Sequence, residues 1–201
     1  MRIFGIKPYR RRGKRFRKTK DSSRIYPNLI QLIPFPKTQN IVVWVSDFTE
    51  IPFHSRTVYL ATIMEIYDRK VVGWSLLTTH SAQLVITALI DATEKHGRSQ
   101  ILHSDQGSEY KSRIYCGFAE GLGIKPSMSA KGSPWQNGYQ EAFYSQFKVD
   151  LGDPNRYRTL GELAPAVYLQ IHYYNHQRIH TELKMPPAMY AERQKSMALN
   201  N

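Results

Sequence analysis

Between Asn40 and Thr79 the chain alternates short apolar runs with polar breaks. The runs fall at Asn40–Ile51, Thr57–Asp68 and Val71–Thr79, and His54-Ser55-Arg56 and Arg69-Lys70 separate them. They are rich in β-branched and aromatic residues, so they predict three strands in an antiparallel meander. The period then lengthens. Leu84, Val85, Ala88, Leu89 and Ala92 share one helical face and predict a helix over Ser81–His96, stopped by Gly97. A fourth strand, Gln100–Ser104, leads into the polar loop DQGSEY, followed by a helix over 112–121 and a fifth strand over Ile124–Ser129. A helix over Ser133–Asp150 follows, and a last one starts at Thr159 with Glu162 completing a capping box. This order implies an α/β fold: a mixed five-stranded sheet, three antiparallel strands first, flanked by helices.

The helix over Ser133–Asp150 has the best-marked start. Ser133 suits the N-cap, Pro134 the first helical position, and Gln136 completes a Ser-x-x-Gln box. At about 100° per residue Tyr139, Phe143, Phe147 and Leu151 fall on one side, with Asn137, Glu141, Ser145 and Lys148 on the other. A helix anchored by four large apolar groups presents Glu141 rigidly on its polar face. Most glutamates so placed are ordinary surface acids, so Glu141 gains meaning only from other carboxylates.

Charge divides the chain. Of 28 Lys and Arg, eleven lie in residues 1–24 beside a single acid, Asp21, whereas the rest of the chain is nearly balanced; the whole carries +12. The excess belongs to a basic tail, residues 1–25, expected to be extended or disordered and suited to a polyanion. Within it Arg10, Arg11, Arg12, Lys14, Arg15, Arg17 and Lys18 are the candidate DNA contacts. The one cysteine, Cys116, excludes an internal disulfide framework and a Cys-rich zinc site, and reads as a small core residue. No apolar run approaches the roughly 20 residues of a membrane span, and no signal-peptide core follows the basic start, so a cytoplasmic protein with no membrane partner is expected. There is no Walker loop and no GxGxxG.

Two aspartates are hard to explain structurally. Asp47 interrupts a run that reads as buried strand, where an unpaired charge costs several kcal/mol. An edge position facing water, or a basic partner, is the ordinary alternative. Asp105 ends the fourth strand before Gln106-Gly107, a place where sheet proteins carry active groups and where turn aspartates are also common. Together with Glu141 they form a set of oxygen donors without Cys or suitably spaced His. Such a set suits Mg²⁺, with Mn²⁺ as a substitute, and two ions would serve phosphodiester chemistry.

The motifs are recognisable as a group. Trp44, Asp47 and Thr49 give W-x-x-D-x-T, HSDQGSEY surrounds Asp105, 35 residues separate Asp105 from Glu141, and Lys148 follows seven positions on. This resembles the catalytic core of retroviral-integrase-like DDE transposases, specifically the second-reading-frame (OrfB) transposases of bacterial insertion sequences. KGSPWQNGYQEAFYSQFK, YNHQRIH (Tyr174, Asn175, Arg178, His180) and PPAMY (186–190) add to the likeness, which covers Tyr26–Arg193. The resemblance implies an RNase H-like core over 26–193, followed by a tail over 194–201. It also implies a metal-dependent polynucleotidyl transferase that cuts and joins DNA at element ends.

Carried over by motif, Asp47 ligates both ions of the active site, and Asp105 and Glu141 complete one each. Lys148 is expected to touch DNA near the reactive end, or to be an ordinary surface lysine. His103, Asn137, Arg178 and His180 are expected to contact DNA or support the site. Double-stranded DNA, both element ends and target, is the implied partner, bound by a homo-oligomer because strand exchange needs two ends held together. Relatives of this type carry an upstream helix-turn-helix region that reads the ends, whereas only the basic segment precedes the core here. Gln106 also stands where many relatives have a basic residue. The competing readings are an RNase H-like nuclease without strand transfer and an inactive, truncated DNA-binding remnant.

Overall fold

The structure, a computed structural model, describes residues 24–32, 41–130 and 138–199. The tail arginines and lysines from Arg10 to Lys18, the cap residues Ser133, Pro134 and Gln136, and Asn137 lie outside the described residues.

The meander and mixed sheet expected from the patterning are present. The elements are β1 (Val43–Phe53), β2 (Arg56–Glu65), β3 (Val71–Leu77), α1 (Ala82–His96), β4 (Ile101–Ser104), α2 (Arg113–Gly121), β5 (Lys125–Met128), α3 (Gly138–Leu151), α4 (Leu160–His176) and α5 (Pro187–Leu199). The strands order as β3-β2-β1-β4-β5. β1, β2 and β3 pair antiparallel, whereas β4 runs parallel to β1 and β5 parallel to β4. The helix from Thr159 is not the last: α5 follows from Pro187 and continues through residues 193 and 194, where the resemblance put the end of the core.

Strand alternation sorts side chains between two apolar layers. Val43, Val45, Ile51 and Phe53 of β1 join Phe143 and Phe147 of α3 and Leu163, Val167 and Ile171 of α4 on one face of the sheet. Trp44, on the opposite face, joins Leu84, Ala88 and Leu89 of α1 and Tyr115 and Cys116 of α2. Cys116 is fully buried and donates to the Tyr110 carbonyl, as a core residue should. α1 approaches β3 closely at Gly73, where a Cβ would sit 2.5 Å from the Ala88 carbonyl oxygen. Thr159 caps α4 by accepting the Glu162 N–H at 3.2 Å, and the Glu162 carboxylate reaches back one residue further than expected, to the Arg158 N–H. Leu29 and Ile30 pack on the α3–α4 side, and the Leu29 N–H donates to Ser127 Oγ at 2.9 Å.

Candidate active site

Parity on β1 decides where Asp47 points. Val43 and Val45 face α3, so Asp47, two residues on, shares their side. β4 pairs with β1 as Val43↔Ile101, Trp44↔Leu102 and Val45↔His103. The ladder ends there, and Asp105 follows directly on the last residue of β4. Both aspartates are half-buried, and each commits one oxygen to a nearby main-chain N–H: Asp47 Oδ1 accepts the Phe48 N–H within β1 at 2.9 Å, and Asp105 Oδ1 accepts the Gly107 N–H in the loop after β4 at 2.8 Å.

Glu141 is exposed on α3. It is near enough that its charge, like that of Asp105, is felt at Asp47. Burial first, and then these two neighbouring charges, push the Asp47 carboxyl up from 3.8 to about 7. That repulsion is what a cation would relieve, and hard carboxylate oxygens fit Mg²⁺ or Mn²⁺. Among the described residues no three His, Cys, Asp or Glu side chains are yet drawn together tightly enough to hold a metal. Glu141, exposed and with three side-chain torsions, is the member with freedom to close the set.

A fourth carboxylate, not singled out by the spacing, lies in the same loop. Glu109 is buried, accepts from Ser108 Oγ at 2.8 Å and pairs with His80 Nε2 at 3.3 Å. His80 in turn packs against Phe48 with its ring tilted 56° and the ring centroids 4.6 Å apart. A Cβ on Gly107 would lie 2.9 Å from Asp105 Oδ1 and 3.2 Å from Glu109 Oε2, so the two acids flank this glycine.

The remaining expected site residues divide. Lys148 is exposed on the outward side of α3, as its spacing from Glu141 implied. His103 is not positioned to touch DNA: it is 1% exposed, its Nδ1 is 2.9 Å from Ser127 Oγ, and burial lowers its pKa to about 4. Arg178 braces α4 against α3 through Asp150 at 2.7 Å. Asn175 binds both the N–H and the carbonyl of Val71, and Tyr174 donates to the Arg69 carbonyl. Tyr174, Asn175 and Arg178 of the YNHQRIH stretch thus bond to the β2–β3 connection, to β3 and to α3. His180 is half-buried and accepts the Glu182 N–H at 3.3 Å.

Residues 37–134 match the family model described as integrase core domain, and residues 122–187 match a second model of the same description. A transposase-like protein of Haemophilus influenzae is 31% identical over 168 residues, which are 83% of this chain and 77% of that protein. The chain belongs to the integrase-core transposase family. Another member, the transposase for insertion sequence element IS904 of Lactococcus lactis, is 36% identical over 167 residues; the match covers 82% of this chain but only 66% of that transposase. The family's RNase H-like fold is matched in solved structures. The HTLV-2 integrase catalytic core domain in complex with magnesium superimposes with a TM-score of 0.62 at 16% identity, covering 74% of this chain and 94% of that one. A chain of the simian T-cell lymphotropic virus intasome gives 0.68 at 17% identity, covering 84% of this chain and 57% of that one. No helix of the described residues is long and apolar enough to cross a membrane.

Proposed function

We propose that this chain is the catalytic core of a DDE transposase, cutting DNA at the ends of an insertion sequence and joining those ends to a target. The observation that supports the reading best is electrostatic. Burial raises the Asp47 carboxyl to about 7, and the charges of both Asp105 and Glu141 add to that rise.

In this reading Asp47, Asp105 and Glu141 would together hold the divalent ions, two per site, with Asp47 shared. When bound, such ions activate the attacking oxygen and neutralise the leaving oxygen of an in-line displacement. The carboxylates would hold the ions, and the apolar layer around Val45 and Phe143 keeps α3 seated on the sheet. In the first step a water oxygen bonds to phosphorus at the element end, the bond to the 3′ oxygen breaks, and that oxygen leaves with a proton as a 3′-hydroxyl. In the second step the 3′ oxygen bonds to a target phosphorus as its proton passes to solvent. The target's own bond from phosphorus to its 3′ oxygen breaks, and that oxygen takes a proton from solvent and leaves as a 3′-hydroxyl. Lys148, on the Glu141 side of α3, contacts the backbone near the reacting phosphate. The basic tail adds non-specific, salt-sensitive affinity. Two element ends are held by more than one copy of the chain.

The test is incubation with a duplex bearing the ends of the element that encodes the protein, with Mg²⁺. Nicked and then joined products are expected, both lost in Asp47→Asn, Asp105→Asn and Glu141→Gln. Hydrolysis without joining would favour a nuclease. Cleavage that survives all three substitutions would overturn the assignment.

A further inference from the structure

The apolar face of α3 is a poor ruler. Phe143, Phe147 and Leu151 press on the sheet through non-directional contacts, which resist separation more than they resist sliding. A slip of one residue would move the helix about 1.5 Å along its axis and turn it about 100°, taking Glu141 to another side. Three polar side chains are sealed inside this layer: Thr62 and Gln140 at 0% exposure and Tyr144 at 6%.

Their bonds run across the α3–sheet boundary. Gln140 Nε2 donates to the Val45 carbonyl at 2.8 Å and to the Thr62 carbonyl at 3.3 Å. Thr62 Oγ1 donates to Gln140 Oε1 at 2.9 Å. The Tyr144 hydroxyl lies 2.8 Å from Thr62 Oγ1 and donates to the Asp47 carbonyl at 2.7 Å. With the threonine proton used on Gln140, the tyrosine proton is shared between Thr62 and Asp47. In the β1–β2 ladder Thr62 is the direct partner of Asp47. On α3, Gln140 is the residue before Glu141, and Tyr144 stands three after it. The network therefore ties the main chain and strand partner of Asp47 to both flanks of Glu141. Each of its members is buried, so losing the register would strand these groups away from water. Buried polar groups of this kind select one register where apolar packing alone would accept several.

We propose that Thr62, Gln140 and Tyr144 form a registry lock that positions Glu141 against Asp47 and thereby sets the affinity of the carboxylate site for divalent ions. This rests on the transposase reading of that site, and none of the three touches the reacting atoms. The lock is tested by Mn²⁺ binding to the full chain, followed through loss of the free-ion EPR signal, with thermal unfolding measured in parallel. Thr62→Val, Tyr144→Phe and the apolar triple variant Thr62→Val/Gln140→Leu/Tyr144→Phe are expected to raise the half-saturating Mn²⁺ concentration about tenfold or more, as other outer-shell changes do. Thr62→Ser, which keeps the hydroxyl, is expected to bind close to wild type. Asp47→Asn is the control. If it binds Mn²⁺ like wild type, the metal-site reading fails. If it abolishes binding while Thr62→Val and Thr62→Ser bind alike in folded protein, the lock is wrong and the site reading stands. If the triple variant unfolds, the Thr62→Val against Thr62→Ser comparison decides.

Discussion

Asp47→Asn is expected to stabilise the metal-free protein at alkaline pH and to leave it unchanged in acid. In the folded chain the Asp47 carboxyl is raised from 3.8 to about 7, chiefly by burial and further by Asp105 and Glu141. In the unfolded chain it ionises near its ordinary value of about 3.9. A folded value above the unfolded one means that the native state keeps the proton over a range where the unfolded state has lost it. The stability associated with this group is therefore fully present below about pH 4 and is lost as pH rises through about 7. At about 1.4 kcal/mol per pKa unit the penalty approaches ~4 kcal/mol above pH 8. That is large beside a typical net stability of about 5–15 kcal/mol.

Asparagine keeps an oxygen for the Phe48 N–H and carries no charge, so the substitution isolates the electrostatic part. The assay is urea unfolding of both proteins in EDTA, near pH 4 and near pH 8. Glu65 and Asp68, a second buried acid pair with raised values, titrate in both proteins and cancel in the difference. The gain should be close to zero in acid and several kcal/mol in base. Added Mg²⁺ should then stabilise wild type at pH 8 and leave the variant unmoved, because only a ligand of the native state shifts the midpoint. A gain that is absent at pH 8, or equal at both pH values, would refute the claim that Asp47 is an electrostatically strained acid.

Gly107→Ala would bring a Cβ within 2.9 Å of Asp105 Oδ1 and 3.2 Å of Glu109 Oε2. It is expected to weaken Mg²⁺ binding about tenfold in a calorimetric titration. Gly73→Ala would set a methyl 2.5 Å from the Ala88 carbonyl oxygen and 2.6 Å from Ala92, and should lower stability by about 1–3 kcal/mol in urea unfolding. Lys148→Ala removes an exposed charge. Stability should stay within about 0.5 kcal/mol, while the salt slope of DNA binding falls by about one.

Residues whose roles follow from local pattern were legible in the sequence. The strand and helix periods fall where the elements are, and Ser81, Gly97 and Thr159 mark helix ends as read. Asp47 stood out because a strand of apolar residues has no local reason to contain an acid. Arg178 and His103 were legible only as alternatives. Which role each takes depends on Asp150 and Ser127, partners 28 and 24 residues away. Helical spacing also misjudged part of the inner side of α3. Tyr139, Phe143, Phe147 and Leu151 do pack on the core as read, but the spacing passed over Tyr144 and Gln140, which are buried there too.

That misjudgement has a physical cause. A hydrophobicity pattern assigns glutamine to the outside because an unpaired amide is expensive to bury. Gln140 escapes the rule only because Thr62 and Val45, 78 and 95 residues away, present one donor and two carbonyls at the right places. The parity argument for the aspartates has the same dependence. The side that Asp47 faces follows from β1 alone, but where Asp105 stands relative to it requires the β1–β4 offset. The pairing of Val45 with His103 sets that offset. The acids are therefore visible as motifs because each has its own local context. What fixes their relative positions is written in pairs of residues far apart in the chain, which no periodicity registers.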